Sequence, residues 1–311
     1  MRVTNNMLVN NMVYNLNQNL KKLEKLQYQL ATGKKFRVPS DDPIGASKSL
    51  KFNTDISKLE QYERNVKDAL SWMSDTEAAL GEIGEVLKRA KELTVDAANG
   101  TKTTEDLNKI REEIDQLKEH LIQIANTTYA GRHVFSGYKT DQELLDENGN
   151  YKINLELLDD EAEIFEYNVG ISEKVKVNTL GGKVFGDYDG DYTGKVSEGQ
   201  KPHLIEMFEN LSDALEVNDP DEIQKSLTNL DNAMEQVLSV RAEVGAKMNR
   251  LELTEKKLGV QIVSVKELLS YNEDVDIAEA FMNINVAQNV YVSSLMTGAR
   301  IIQPTLVEFL R

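Results

Sequence analysis

Residues 223–269 read IQKSLTNLDNAMEQVLSVRAEVGAKMNRLELTEKKLGVQIVSVKELL. Fourteen positions in this stretch follow alternating steps of four and three: 223, 227, 230, 234, 237, 241, 244, 248, 251, 255, 258, 262, 265 and 269. All are apolar except Arg241 and Glu255. A 3.5-residue repeat holds one stripe on one side of a helix. At 1.5 Å per residue, the stretch predicts a helix of about 70 Å. Globular helices average about 10–14 residues, so this one must pack along its length against other helices.

The same period recurs on both sides. Leu107, Ile110, Ile114, Leu117, Leu121 and Ile124 form an unbroken seam. Ala69, Trp72, Ala79, Ile83, Val86, Ala90 and Leu93 form another, broadened by Leu70, Met73, Leu80 and Leu87. Near the start, Val9, Val13, Leu16, Leu20, Leu23 and Leu30 keep the period, with Gln27 interrupting. Near the end, Ile277, Phe281, Ile284, Tyr291, Leu295 and Ile302 keep it. These seams predict a mainly α protein: a long antiparallel, coiled-coil-like rod whose terminal helices pair.

Between about Tyr138 and Lys201 the helical period fades. Alternation appears in YKINLEL, AEIFEYNVG and KVKVNTL, punctuated by DENGN and NTLGGKVFGDYDGDYTG. This predicts a small β-rich insertion. The expected organisation is a terminal-helix domain (1–38 with 271–311), a rod (39–138 with 202–270) and an inserted outer domain (139–201).

Two strong breaks separate the terminal helices from the rod. In VPSDDPIGAS (38–47), Pro39 blocks helix continuation, while Asp42 before Pro43 forms an N-cap with proline at the first helical position. Upstream, Gly33 suits a helix C-terminus. A comparable restart, SYNEDVDIAEA, spans 270–280. Gly33, Pro39, Asp41, Asp42 and Pro43 are therefore assigned to a joint. Seven asparagines fall in the first 19 residues, and each costs up to about 0.7 kcal/mol of helix propensity against alanine. Such an end is expected to fold fully only when its seam meets a partner.

Composition narrows the functions. Net charge is −16, from 36 basic and 52 acidic residues, which opposes binding to nucleic acid or an anionic membrane. There is no cysteine, so disulfides and thiolate chemistry are excluded. The uncharged run from Phe281 to Ala299 holds too many amides and hydroxyls for a membrane span. The N-terminus lacks the apolar core of a cleaved secretory signal. His120, His133 and His203 do not cluster at ligand spacing, and TLGGKVFG lacks the lysine of a phosphate loop. Asp187, Asp189, Asp191 and Glu198 match four positions of a calcium loop, but Tyr192 stands where glycine is required. An acidic turn is the simpler reading. No nucleophile, base and oxyanion donor assemble, so neither an enzyme nor a metal or cofactor site is expected.

Taken in order, MRVTNNMLVNNMVYNL, LATGKKFRVPSDDPIGAS, YERNVKDALSWMSDTEAAL, IANTTYAGRHVFSGYKTD, VRAEVGAKMNRLE and NEDVDIAEAFMNINVAQNVYVSSLMTGARIIQPTLVEFL resemble the flagellin superfamily. Within it, the joint and the GRHVFSG segment are similar to the branch that joins hook to filament. The resemblance covers about two thirds of the chain and not the insertion. It implies an extracellular structural adaptor of the bacterial flagellum, arranged as a ring of identical subunits between the first hook-associated protein and flagellin. It further implies passage through the flagellar type III export apparatus after meeting an export chaperone. The apolar seam residues of both ends, Val9 to Leu30 and Ile277 to Ile302, are then the assembly contacts. A flagellin filament subunit and a cytosolic coiled-coil scaffold are the alternatives.

Overall fold

The computed structural model describes residues 5–99, 102–154, 165–187, 190, 192 and 195–302. Helix makes up 73% of these residues. In chain order the elements are α1 (Asn5–Thr32), α2 (Pro43–Ala98), α3 (Thr104–Ala125), β1 (Thr128–Tyr129), β2 (Arg132–His133), β3 (Glu166–Asn168), β4 (Lys174–Lys176), α4 (Gly181–Phe185), α5 (His203–Val217), α6 (Pro220–Glu273) and α7 (Ile277–Ile302). The chain forms two compact units: residues 1–58 with 260–311, and residues 59–259.

The larger unit is built on the long seams. On α6, every seam position from Ile223 to Leu258 is buried or half-buried except Arg241. Arg241 turns its guanidinium out to Glu77 of α2, with Nε 2.7 Å from the carboxylate. Glu255, the second interruption, lies 3.9 Å from Lys67, and Lys91 pairs with Asp231 at 2.5 Å. Numbers rise along α2 as they fall along α6, so the two helices run antiparallel. Each seam break is thus an interhelical ion pair at the edge of the stripe. Exposed pairs of this kind contribute about 0–1 kcal/mol each, so burial of the stripe dominates. Arg111 with Glu216 (2.6 Å) and Lys118 with Glu209 (3.6 Å) show α3 antiparallel to α5.

Helix ends follow local chemistry. Thr103 caps α3: its hydroxyl accepts from the Asp106 N–H at 3.3 Å and donates to the Asp106 carboxylate at 2.7 Å. That hydroxyl, then Lys109, holds the Asp106 carboxyl below its usual range. Asp219 caps α6 by accepting from the Asp221 and Glu222 N–H groups at 3.0 and 3.4 Å, with Pro220 as the first helical residue. This repeats the Asp–Pro restart of the 42–43 joint at a second place in the chain.

The insertion is joined to the helices through one core. Beyond α3, Asn126 accepts from the Leu144 and Leu145 N–H groups (2.9 and 3.0 Å) and donates to the Leu145 carbonyl (2.9 Å). Val134, Phe135, Leu144, Leu145, Tyr151 and Phe185 are fully enclosed and continue the cluster formed by α2, α3, α5 and α6. The Tyr151 hydroxyl donates to the Gly186 carbonyl at 2.7 Å. Strands are short. β1 pairs antiparallel with β2, and β3 pairs antiparallel with β4. The GGKVF segment, read as a glycine-punctuated turn, forms the one-turn helix α4 instead. The expected strand in AEIFEYNVG is described only from Phe165 onward, and YKINLEL only to Asn154.

Candidate assembly surface and clasp of the terminal helices

In the smaller unit α1 and α7 pair antiparallel. Leu26, Ile284 and Ala287 form the buried centre, flanked by Leu23 and Leu30. The pairing face of α1 steps through Val9, Met12, Leu16, Asn19, Leu23, Leu26 and Leu30. That of α7 steps through Ala280, Ile284, Ala287, Tyr291, Ser294 and Gly298. Four of these six α7 residues are small, which lets α1 approach closely. At Gly298 a Cβ would fall on the Met12 terminal methyl group.

Large apolar side chains face the other way. Ile277 is 63% exposed, Phe281 57%, Leu295 44%, Val13 49% and Leu20 47%. Met282, Val286, Val290 and Met296 are exposed as well. Of the seam residues proposed from sequence, Val9, Leu16, Leu23, Leu30, Ile284 and Tyr291 therefore lie on the intrachain face. Val13, Leu20, Ile277, Phe281 and Leu295 lie outside it. The Ile302 side chain falls outside the described residues. The sequence seam had merged two adjacent faces. The small-residue face was missed because alanine, serine and glycine carry little weight in an apolar count.

The two joints are tied together. Gly33 ends α1 at φ +71°, with its N–H donating to the Gln29 carbonyl at 2.8 Å. Lys35 N–H donates to the Glu273 carbonyl (2.6 Å), and Val275 N–H donates to the Gly33 carbonyl (2.8 Å). Lys34 Nζ bridges Glu273 (3.0 Å) and Asp274 (2.7 Å). The Asn272 amide donates to the Gly45 carbonyl (2.8 Å) and to Ser49 Oγ (2.7 Å). At the start of α2, Asp42 accepts from the Gly45 N–H at 2.9 Å, as the cap reading expects, and Pro43 is the first helical residue. Asp41 accepts from the Arg37 and Val38 N–H groups (3.1 and 3.3 Å), closing the turn that contains Pro39. Asp276 caps α7 through the Ala278 and Glu279 N–H groups (2.9 and 3.3 Å). The joint is a hydrogen-bonded clasp between distant parts of the chain. Asn272, Glu273 and Asp274 lie in the 270–280 restart read from sequence, but no spacing signals that they meet Lys34, Gly45 and Ser49.

Removing one cap tests the clasp. Asp42→Ala is expected to lose about 1 kcal/mol, read as an earlier onset of chemical unfolding with an unchanged slope.

Acid tests its charges. The Lys34 ammonium, then Ser270, holds the Asp274 carboxyl below its ordinary value, while Asp274 and then Glu273 raise Lys34. A lowered carboxyl contributes stability that is present above its unfolded value and lost as pH falls through the folded one. A raised lysine contributes stability that is lost only as pH rises past its folded value. The clasp should therefore loosen below about pH 4 and again only in strong alkali. Both charges are well exposed, so the effect is local and shrinks with added salt. Proteolysis near Val275 across pH reads it, and Lys34→Gln should flatten the acid limb.

No helix among the described residues is long and apolar enough to cross a membrane. Among them no three acidic or histidine groups gather as metal ligands, and Asp189 and Asp191 of the suggested calcium loop lie outside the described residues.

Two family models match the chain: the bacterial flagellin N-terminal helical region over residues 3–140, and the bacterial flagellin C-terminal helical region over residues 227–310. The chain is 28% identical over 264 residues to flagellar hook-associated protein 3 of Escherichia coli, covering 80% of each. It is also 28% identical over 284 residues to flagellin of Bacillus subtilis, covering 90% of this chain and 89% of that one. Its fold is similar to that of the flagellar junction protein FlgL from Legionella pneumophila, with a TM-score of 0.57 at 17% identity over 73% of this chain and 99% of that one. With both terminal regions matched, and those same regions folded against each other, the chain belongs to the bacterial flagellin family of structural proteins.

Proposed function

We propose that the chain is a hook–filament junction subunit, a hook-associated protein of type 3, and acts as a structural adaptor rather than an enzyme. In this reading residues 1–38 and 271–311 form the inner assembly domain, 39–138 and 202–270 the rod, and 139–201 the outer insertion. Copies stand side by side in a ring, with the first hook-associated protein below and flagellin above. The subunit reaches the cell exterior through the type III export apparatus, escorted there by an export chaperone.

The observation that carries the proposal is the row of outward apolar side chains on α1 and α7, from Val13 and Leu20 to Ile277, Phe281 and Leu295. Each is about half exposed and would contribute about 1 kcal/mol on burial. Association costs about 4–15 kcal/mol in lost freedom, so one pairwise contact barely offsets it. Contacts with several neighbours at once do. A subunit of this kind stays single in solution and adds only to a template that offers several neighbours together. Similarity to hook-associated protein 3 over 80% of each chain supports the junction role.

The match to Bacillus subtilis flagellin over 90% of the chain favours a second reading, the filament subunit itself. Purified protein decides between them. A junction subunit remains monomeric at high concentration and restores filament attachment to cells that lack it. A filament subunit polymerises alone into long fibres when seeded.

A further inference from the structure

We propose that the cavity beside Trp72 in the larger unit is a binding site for a small ring-bearing carboxylate. The cavity measures about 280 Å³ and is lined by Trp72, Arg132, Tyr138, Thr140, Phe165 and Tyr167. That volume suits one six-membered ring with its substituent, at the small end of ligand pockets.

Three features point to an anion carried on a ring. The walls are aromatic. Phe165 packs edge-to-face on Trp72 (5.2 Å between centroids), on Tyr138 (6.2 Å) and on Tyr167 (6.2 Å), giving a framework that keeps its shape without a ligand. Second, the Trp72 indole N–H is enclosed and has no acceptor, on a side chain only 4% exposed. An unmet buried donor costs about 1–3 kcal/mol, and a ligand that shifts the Trp72 wall enough to bring an acceptor oxygen to it would remove that cost. Third, Arg132 makes no ion pair among the described residues, whereas the one carboxylate of the lining, Glu166, is already bound to Lys174 at 3.1 Å. The Tyr167 hydroxyl adds a donor to the lining; burial, then the nearby Asp68, raises it above its ordinary value. Among the lining residues the charge left without a counter-ion, Arg132, is positive; Asp68, outside the lining, lies near Tyr167. A quaternary ammonium, which aromatic walls alone would suit, meets Arg132 and is repelled.

The chain's single tryptophan makes the site its own reporter. The full-length chain is titrated at neutral pH while Trp72 emission is followed, using probes that do not absorb there. These are cyclohexanecarboxylate and glucuronate, their uncharged counterparts cyclohexanemethanol and glucose, and tetramethylammonium. Saturable change with either carboxylate, and none with the other three, supports the site. Response to cyclohexanecarboxylate alone assigns an apolar-ring acid, and response to glucuronate alone assigns a sugar acid. Arg132→Gln should weaken the carboxylate response about tenfold with unchanged circular dichroism. Tyr138→Ala, which removes an exposed wall, should weaken it without altering charge. The proposal is overturned by any of three results: no saturation with either carboxylate, equal response to the uncharged rings or to tetramethylammonium, or unchanged affinity in Arg132→Gln.

Discussion

Replacing Phe281 and Leu295 together with glutamate is expected to abolish filament attachment while leaving the isolated chain folded. Both side chains are about half exposed and neither belongs to the buried centre of the α1–α7 pair, so their share of intrachain packing is small. Surface changes of this kind shift stability by less than about 0.5 kcal/mol, and glutamate is a good helix former. In the proposed ring the same positions become buried. Each loses about 1 kcal/mol of apolar burial, and each leaves an unpaired carboxylate whose desolvation costs several kcal/mol. The penalty repeats at every subunit. Cells carrying the double variant should have intact hooks and release unpolymerised flagellin into the medium. The matched inward change, Ile284→Asp, should behave differently. It should loosen the α1–α7 pair in the isolated chain before any partner is met.

The largest stability loss is expected in the other unit, from Phe135→Ala. Phe135 is fully enclosed and meets Phe185 edge-to-face, with centroids 6.0 Å apart. Truncating such a ring costs about 3–5 kcal/mol. Phe135 lies just before the insertion in sequence, packs on Phe185 within it, and shares one cluster with Leu121, Leu204 and Phe208 of α3 and α5. The loss should therefore lower the unfolding midpoint of the whole cluster, as reported by Trp72 emission in a denaturant titration. A separate early transition, with the Trp72 signal unmoved, would show instead that the insertion folds by itself.

This shared core also explains how far sequence alone could be read. The α6 and α3 seams were legible because leucine, isoleucine and valine repeat at heptad spacing and the structure buries them in that phase. The Asp42–Pro43 restart was legible because capping is local chemistry. Asp219–Pro220 carries the same local signal at the start of α6. The insertion was less legible. Its order comes from single side chains such as Asn126 and Tyr151 that bond to distant backbone, and no periodicity announces them.

At the candidate surface, the seam read from sequence takes in residues of two neighbouring faces. Large apolar residues on α7 suggested one seam, whereas the intrachain contact uses only Ile284 and Tyr291 of them, together with the small residues Ala280, Ala287, Ser294 and Gly298. A helix that pairs inward mainly through small residues while Ile277, Phe281 and Leu295 stay about half exposed departs from the usual pattern of a helix that buries its stripe within its own chain. That departure is what the assembly proposal rests on. The clasp was invisible for a different reason. Lys34 and Asp274 are 240 residues apart, and their pairing depends on two breaks falling opposite each other.

Amide hydrogen exchange on α1 and α7 tests the central claim most directly. Their pairing rests on a buried centre of Leu26, Ile284 and Ala287, against the continuous cluster that holds α2, α3 and α6 in the larger unit. In the isolated chain, amides of α1 and α7 should exchange far faster than those of α3, and should become protected once the protein is seated on purified hooks carrying the first hook-associated protein. Equal protection of α1, α7 and α3 in the free chain, unchanged on the hooks, would contradict it.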